Sequence, residues 1–221
     1  MTDHHIVSGL PPLTRFALAY APSRVRKYLL AVFGLDQRLA DIVRNSREPM
    51  LAQLRLAWWR EALTSPAAAA PPGEPLLALF GDWPEQRAAA AGLVDGWEAV
   101  TGQPPLPATA FAALAEARAG ALAAIAKAPA HRVAALTMGR AWALADLASH
   151  LSHPVEAQTA LDLARATDWR RSSLPRDLRP LAILHGVAAR TLRGLVEGEG
   201  APHPRSPGAL LAAIRIGIVG R

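Results

Sequence analysis

The sequence predicts an all-α protein, a single-domain bundle of about eight to ten helices over residues 1–221. Three observations carry that expectation. Apolar side chains make up 51% of the chain, enough for a core and too many for wholesale disorder. They recur at helical spacing, and no segment sustains the period-two alternation of β-branched residues that a strand needs. Prolines punctuate the chain at the positions where periodic segments begin, and proline is tolerated at the first position of a helix.

The elements follow in order. Residues 1–11 read as a loose N-terminus. Pro12 to Tyr20 makes a short helix with Leu13, Phe16, Ala17 and Tyr20 as its apolar face, interrupted at Ala21-Pro22. A long helix runs from about Ser23 to Asn45, buried through Val25, Tyr28, Leu29, Val32, Phe33, Leu39 and Ile42. Glu48-Pro49 stops it, because the residue before a proline is pushed out of helical conformation. Pro49 then opens a helix to about Thr64. Its stripe is Met50, Leu54 and Trp58, with Leu51 and Ala62 beside it and Trp59 flanking, and the stripe is expected to pack in the core.

Residues 65–75 form a linker rich in proline and alanine. Leu76 to Phe80 is a short helical piece ending at Gly81, and Asp82-Trp83-Pro84 starts a helix to about Val100. Residues 102–107 are a loop. Alanine-rich helices over about 108–127 and 131–151 meet at Pro129, another covers about 154–167, and Pro175 to Val196 is a long one. A loop from Gly198 to Pro204 leads to Ser206-Pro207, an N-cap and first-turn proline for a last helix ending near Gly220. That helix is apolar enough for a membrane or a partner groove, although packing on the bundle is the simpler use of it.

Composition excludes whole classes of chemistry. Without cysteine there are no disulfides, thiolate zinc sites or cysteine nucleophiles. The start, MTDHHIVSGLPPL, lacks the basic and apolar regions of a secretory signal, and no run approaches the ~20 apolar residues of a membrane span. A cytoplasmic protein is expected, or one held peripherally at the inner membrane. The net charge of +6 is uneven: +4 over residues 1–65, −3 over 66–165 and +5 over 166–221. Basic ends suit an anionic partner such as a diphosphate, lipid headgroup or nucleic acid, but a solvated arginine surface is the simpler reading. No zinc-finger spacing, aromatic-basic alternation or recognition helix points to nucleic acid.

Asp41 and Asn45 stand four apart, so both side chains leave one helical face. Two carboxylates at that spacing, facing a second such pair, hold Mg²⁺ against a substrate diphosphate. By spacing alone, Asp41 and Asn45 read as a polar helix face. Asp146, His150, His153 and Glu156 supply four donor side chains in another short stretch, but Pro154 cuts the helix there and an Asp146–His150 pair is the simpler reading. No G-x-S-x-G turn singles out a serine nucleophile.

From Arg15 to Leu63 the chain resembles the squalene/phytoene synthase family of isoprenoid enzymes. The residues that carry it are Arg15-Phe16, Ala21-Pro22, Arg26, Ala31-Val32-Phe33, Arg38-Leu39-Ala40-Asp41, Glu48-Pro49-Met50-Leu51 and Leu54-Arg55-Leu56. The most specific run is Trp58-Trp59-Arg60-Glu61-Ala62-Leu63. It is most similar to the branch holding bacterial phytoene-synthase-like proteins and the mitochondrial complex I assembly factor. Weaker similarity continues over Gly139 to Leu147 and from Leu174-Pro175 onward.

The resemblance implies an isoprenoid-synthase-like fold with a central cavity, in which two facing D-x-x-x-D motifs hold Mg²⁺ and two prenyl diphosphates condense head to head. Carried over, Asp41 matches the first aspartate of the first motif and Asn45 takes the place of the second. The second motif falls at His150 to Pro154, with His150 and Pro154 in the aspartate positions. Of four carboxylates only Asp41 remains, and imidazole, amide and proline are poor or no substitutes for oxygen ligands of Mg²⁺. Arg171-Ser172-Ser173-Leu174-Pro175 imitates the family's arginine-tyrosine-leucine-proline element without its tyrosine or its spacing.

The expectation is therefore a catalytically degenerate member that acts by binding, with no catalytic residue and no cofactor. By similarity to the assembly-factor branch its partners are respiratory complex I subunits or assembly intermediates. The alternative is a prenyltransferase of isoprenoid or carotenoid biosynthesis, or an isoprenoid-lipid binder. It would use Asp41 with Mg²⁺, and Arg38 and Arg55 on the diphosphate; otherwise Arg38, Arg55 and Arg60 pair with Asp41, Glu48 or Glu61.

Overall fold

Prolines at the N-cap or first position set the starts of eight helices: Pro12, Pro22, Pro49, Pro75, Pro84, Pro107, Pro129 and Pro154. The computed structural model describes residues 2–46, 48–65, 73–81 and 83–196, which form ten α-helices and no strand. These are α1 (Thr2–Gly9), α2 (Pro12–Ala19), α3 (Ser23–Asn45), α4 (Pro49–Thr64), α5 (Pro75–Leu79), α6 (Pro84–Glu98), α7 (Ala108–Ala123), α8 (Pro129–His150), α9 (Pro154–Ala166) and α10 (Arg179–Val196). A 3-10 turn, Arg176–Leu178, precedes α10. The all-α expectation holds. The Ala-Pro part of the expected linker, Asp82 and the expected helix from Ser206 lie outside the described residues.

Helix α3 runs through the middle of the bundle, and every residue predicted to bury on it is buried. Tyr28 lies fully inside and donates its hydroxyl to the Ala121 carbonyl at 2.7 Å; burial raises its pKa. Helices α6, α7 and α8 pack side by side next to α3, while α9 and α10 cover α8 and α2 lies on α10. The absence of side chains lets α6, α7 and α8 come close. A Cβ at Gly96 would stand 2.5 Å from the Cβ of Ala117, and one at Gly139 would stand 2.9 Å from the Cα of Ala119.

Two expectations are corrected. The N-terminus is not loose: α1 forms, and Ile6 packs over Gly34 beside Leu76, in space a side chain at Gly34 would fill. The core face of α4 is also not the predicted one. Met50, Leu51, Leu54 and Trp58 are exposed (65, 46, 62 and 41%), whereas Ala52, Leu56, Trp59, Ala62 and Leu63 are buried. Both faces of α4 are apolar, so periodicity does not choose between them. The rotation is decided by partners on α6: Arg60 reaches Asp95 (2.8 Å) and Glu98, and Arg87 donates to the Ala62 carbonyl. These contacts turn the Trp59 side inward.

Candidate functional site

On α3 the inward positions are Val25, Leu29, Val32, Asp36 and Leu39, spaced four and three apart, and one of the five is a carboxylate. Helix α7 likewise buries Phe111, Leu114, Ala115, Arg118 and Leu122, and one of those is a guanidinium. These two, with Asp146 and Trp142 of α8 and Trp97 of α6, form a single polar layer to which four helices contribute.

The geometry of the layer is closed. The Arg118 fork donates through Nε to Asp36 Oδ1 (3.0 Å), lies 2.8 Å from Asp36 Oδ2 through Nη2, and donates through Nη1 to Asp146 Oδ2 (2.9 Å). Trp97 donates its indole N–H to Asp36 Oδ1 at 2.7 Å. The guanidinium carbon lies 5.3 Å from the centroid of Trp97 and 5.7 Å from that of Trp142, so aromatic faces flank the charge. Burial works against the Arg118 charge, but the fields of Asp36 and Asp146 and their hydrogen bonds outweigh it, and its pKa is raised. The layer carries one cation and two anions, a net −1.

Little space remains beside it. The cavity bordered by Val32, Phe33, Asp36, Arg118 and Trp142 measures about 10 Å³, the room of roughly one water. A prenyl chain needs a pocket of several hundred Å³.

The residues singled out in the sequence lie elsewhere. Asp41 is five positions, about 140° around the helix, from Asp36. It is half exposed, accepts from Gln37 (3.1 Å) and pairs with Arg44 (2.5 Å). Asn45 is exposed at the end of α3, and Arg38 and Arg55 are exposed. Arg60 pairs with acids of α6 and not with Glu61 or Glu48. His150 is exposed at the end of α8, with Nδ1 2.8 Å from the Asp146 carbonyl and 3.5 Å from its Oδ1. Pro154 opens α9, exposed, and His153 precedes it. Glu156 is buried and accepts from the Leu106 N–H at 2.8 Å. The structure thus joins Asp146 to His150 and keeps Asp41 in a separate ion pair with Arg44.

These residues do not fit the Mg²⁺ that D-x-x-x-D chemistry uses. Such an ion takes near-octahedral oxygen ligands. The two central carboxylates already turn to a guanidinium that holds the place between them. Among the described residues no three His, Asp or Glu side chains are grouped to hold a metal. No reaction step is therefore routed through a metal here.

Sequence reasoning missed Asp36, Trp97 and Arg118. Asp36 and Arg118 carried a signal, a charged residue at a position where helical periodicity calls for an apolar one; Trp97 carried none.

The family model for squalene/phytoene synthase matches residues 15–123. That span contains Asp36, Trp97 and Arg118 and ends at the last residue of α7, before Asp146. No curated protein matches the chain, and no solved structure does.

Proposed function

Because the chain belongs to the squalene/phytoene synthase family, we propose that it is a catalytically degenerate member that works by binding. The observation that carries this reading is the closed layer of Asp36, Arg118 and Asp146. The two carboxylates at the bundle centre share one buried arginine that lies between two tryptophans, with room for about one water. A diphosphate would meet two anions there, and its prenyl chain would meet packed rings. Asp41, the one carboxylate retained at a motif position, is paired with Arg44.

The similarity of the Pro49 to Leu63 run to the assembly-factor branch supports a role in assembling respiratory complex I, with its subunits or assembly intermediates as partners. It also supports a place at the inner face of a bacterial membrane, held peripherally.

Two experiments test the reading. Incubated with farnesyl or geranylgeranyl diphosphate and Mg²⁺, the protein is expected to release no diphosphate. Release that disappears in Asp41→Ala or Asp36→Asn overturns the non-catalytic reading and favours a prenyltransferase. A deletion strain is expected to contain less assembled complex I; normal content overturns the assembly role.

A further inference from the structure

Two short runs hold the whole net charge of this protein. Residues 15–27 carry Arg15, Arg24, Arg26 and Lys27 and no acid. Residues 168–179 carry Arg170, Arg171, Arg176 and Arg179 against Asp168 and Asp177. Eight bases against two acids make +6, the net charge of all 221 residues, so the rest of the chain balances to zero.

The fold brings the two runs together. Arg24, in the first turn of α3, pairs with Asp177 in the 3-10 turn at 2.5 Å, and α2 packs on α10. Arg26 bends back onto the end of α2 and donates to the carbonyls of Ala19 (3.1 Å) and Ala21 (2.9 Å). In two ion pairs of this face the base is the more exposed partner. The Arg24 side chain is 64% exposed over an Asp177 that is 13% exposed, and Arg170 is 90% exposed beside Asp168 at 44%. Asp177 sits beneath Arg24, and Asp168 is outnumbered by the exposed Arg170 and Arg171 beside it, so the surface met from solvent carries more positive than negative charge.

We propose that this face binds the anionic phosphate headgroups of a membrane surface. Arginine forks match phosphate oxygens two at a time. A cluster of this many bases is held at an anionic leaflet by charge alone, with no cavity and no inserted helix. No helix among the described residues is long and apolar enough to cross a bilayer, so contact through this face is a surface contact. The aromatic side chains of these runs argue against a nucleic-acid partner, since Phe16 and Tyr20 are half-buried against the core and each other, 5.2 Å apart. Trp169 is turned inward, stacked on His185 at 5.1 Å with its N–H given to the Ala164 carbonyl, and offers no ring for a base to stack on. The inference rests on the peripheral placement in the proposed function and not on the assembly role.

The test is co-sedimentation of the full chain with vesicles. Binding is expected to vesicles of mixed phosphatidylglycerol and phosphatidylcholine, absent with phosphatidylcholine alone, and lost at about 0.5 M NaCl. Arg170→Glu with Arg176→Glu, checked for native circular dichroism, is expected to weaken binding at least roughly tenfold. Arg38→Glu with Arg44→Glu changes the net charge equally at exposed positions ~21 and ~30 Å along α3 from Arg24, and is expected to bind as the parent does. Equal binding to neutral vesicles overturns the proposal, as does equal weakening by the two double variants. Displacement by millimolar inorganic phosphate at constant ionic strength overturns it in favour of a discrete oxyanion site. Tighter binding to duplex DNA than to vesicles overturns it in favour of nucleic acid. If vesicle binding fails while the deletion strain lacks complex I, the assembly role stands and this face does not.

Discussion

Neighbouring tryptophans on α4 show how much depends on one helical step of 100°. Trp59 is buried at the α4–α6 contact, whereas Trp58 keeps 41% of its surface and touches Trp59 edge to face at 5.1 Å. Trp59→Ala is expected to cost ~3–5 kcal/mol of stability, while Trp58→Ala loses only the ring pair, ~1 kcal/mol. Urea unfolding of both variants measures the difference, and equal losses would contradict the rotation of α4. His185 gives a second residue-level expectation. It is fully buried on α10, stacked on Trp169, and neither ring nitrogen has a hydrogen-bond partner among the described residues. Burial first, and then the field of Arg171, push its pKa down to about 4 against a weaker opposing field from Asp168. The folded protein then binds its proton later than the unfolded chain does. The associated stability is complete above pH ~6.5 and is lost as pH falls toward 4, a loss of ~3 kcal/mol. Comparing parent and His185→Leu between pH 7 and pH 4 isolates it: the stability difference should move toward the variant by about that amount.

At the scale of elements, small residues decide how closely the helices approach. Gly139→Ala places a methyl group 2.9 Å from the Ala119 backbone, so α7 and α8 must part. The helix-propensity gain of up to ~1 kcal/mol is smaller than the ~1–3 kcal/mol of overpacking, and a net loss is expected. Gly120 on α7 has nothing within 4 Å of the same methyl position, so Gly120→Ala should stabilise by ~0.5–1 kcal/mol. Opposite shifts in thermal midpoint would verify the pair. This scale also shows what could be read in advance. The bounds of α3 and α4 were legible to the residue, because Glu48-Pro49 must break a helix whatever packs around it. The facing of α4 was not legible, since apolar residues occupy both sides and only the reach of Arg60 to Asp95 and Glu98 selects one. At the centre, Asp36 was legible as a carboxylate on an apolar stripe. Its pairing was not, because Arg118 and Asp146 meet only once α7 and α8 lie antiparallel against α3.

For the molecule as a whole, the Asp36–Arg118–Asp146 layer ties three helices together and also separates a fold pin from a reactive site. Arg118→Met leaves two inward carboxylates without their cation. The expected cost is ~3–5 kcal/mol at neutral pH. Replacing the layer in full (Asp36→Leu, Arg118→Met and Asp146→Leu) removes every charge at once. Most of the loss should return, apart from the ~1–3 kcal/mol of a Trp97 N–H that no longer has the Asp36 oxygen at 2.7 Å. Thermal and urea unfolding of the single and triple variants at pH 7 measure both effects. A triple variant no more stable than Arg118→Met would mean that the charges hold the bundle by more than neutralising one another. If instead the triple variant folds and restores complex I content in the deletion strain, the centre of the bundle contributes structure and binding proceeds at the surface.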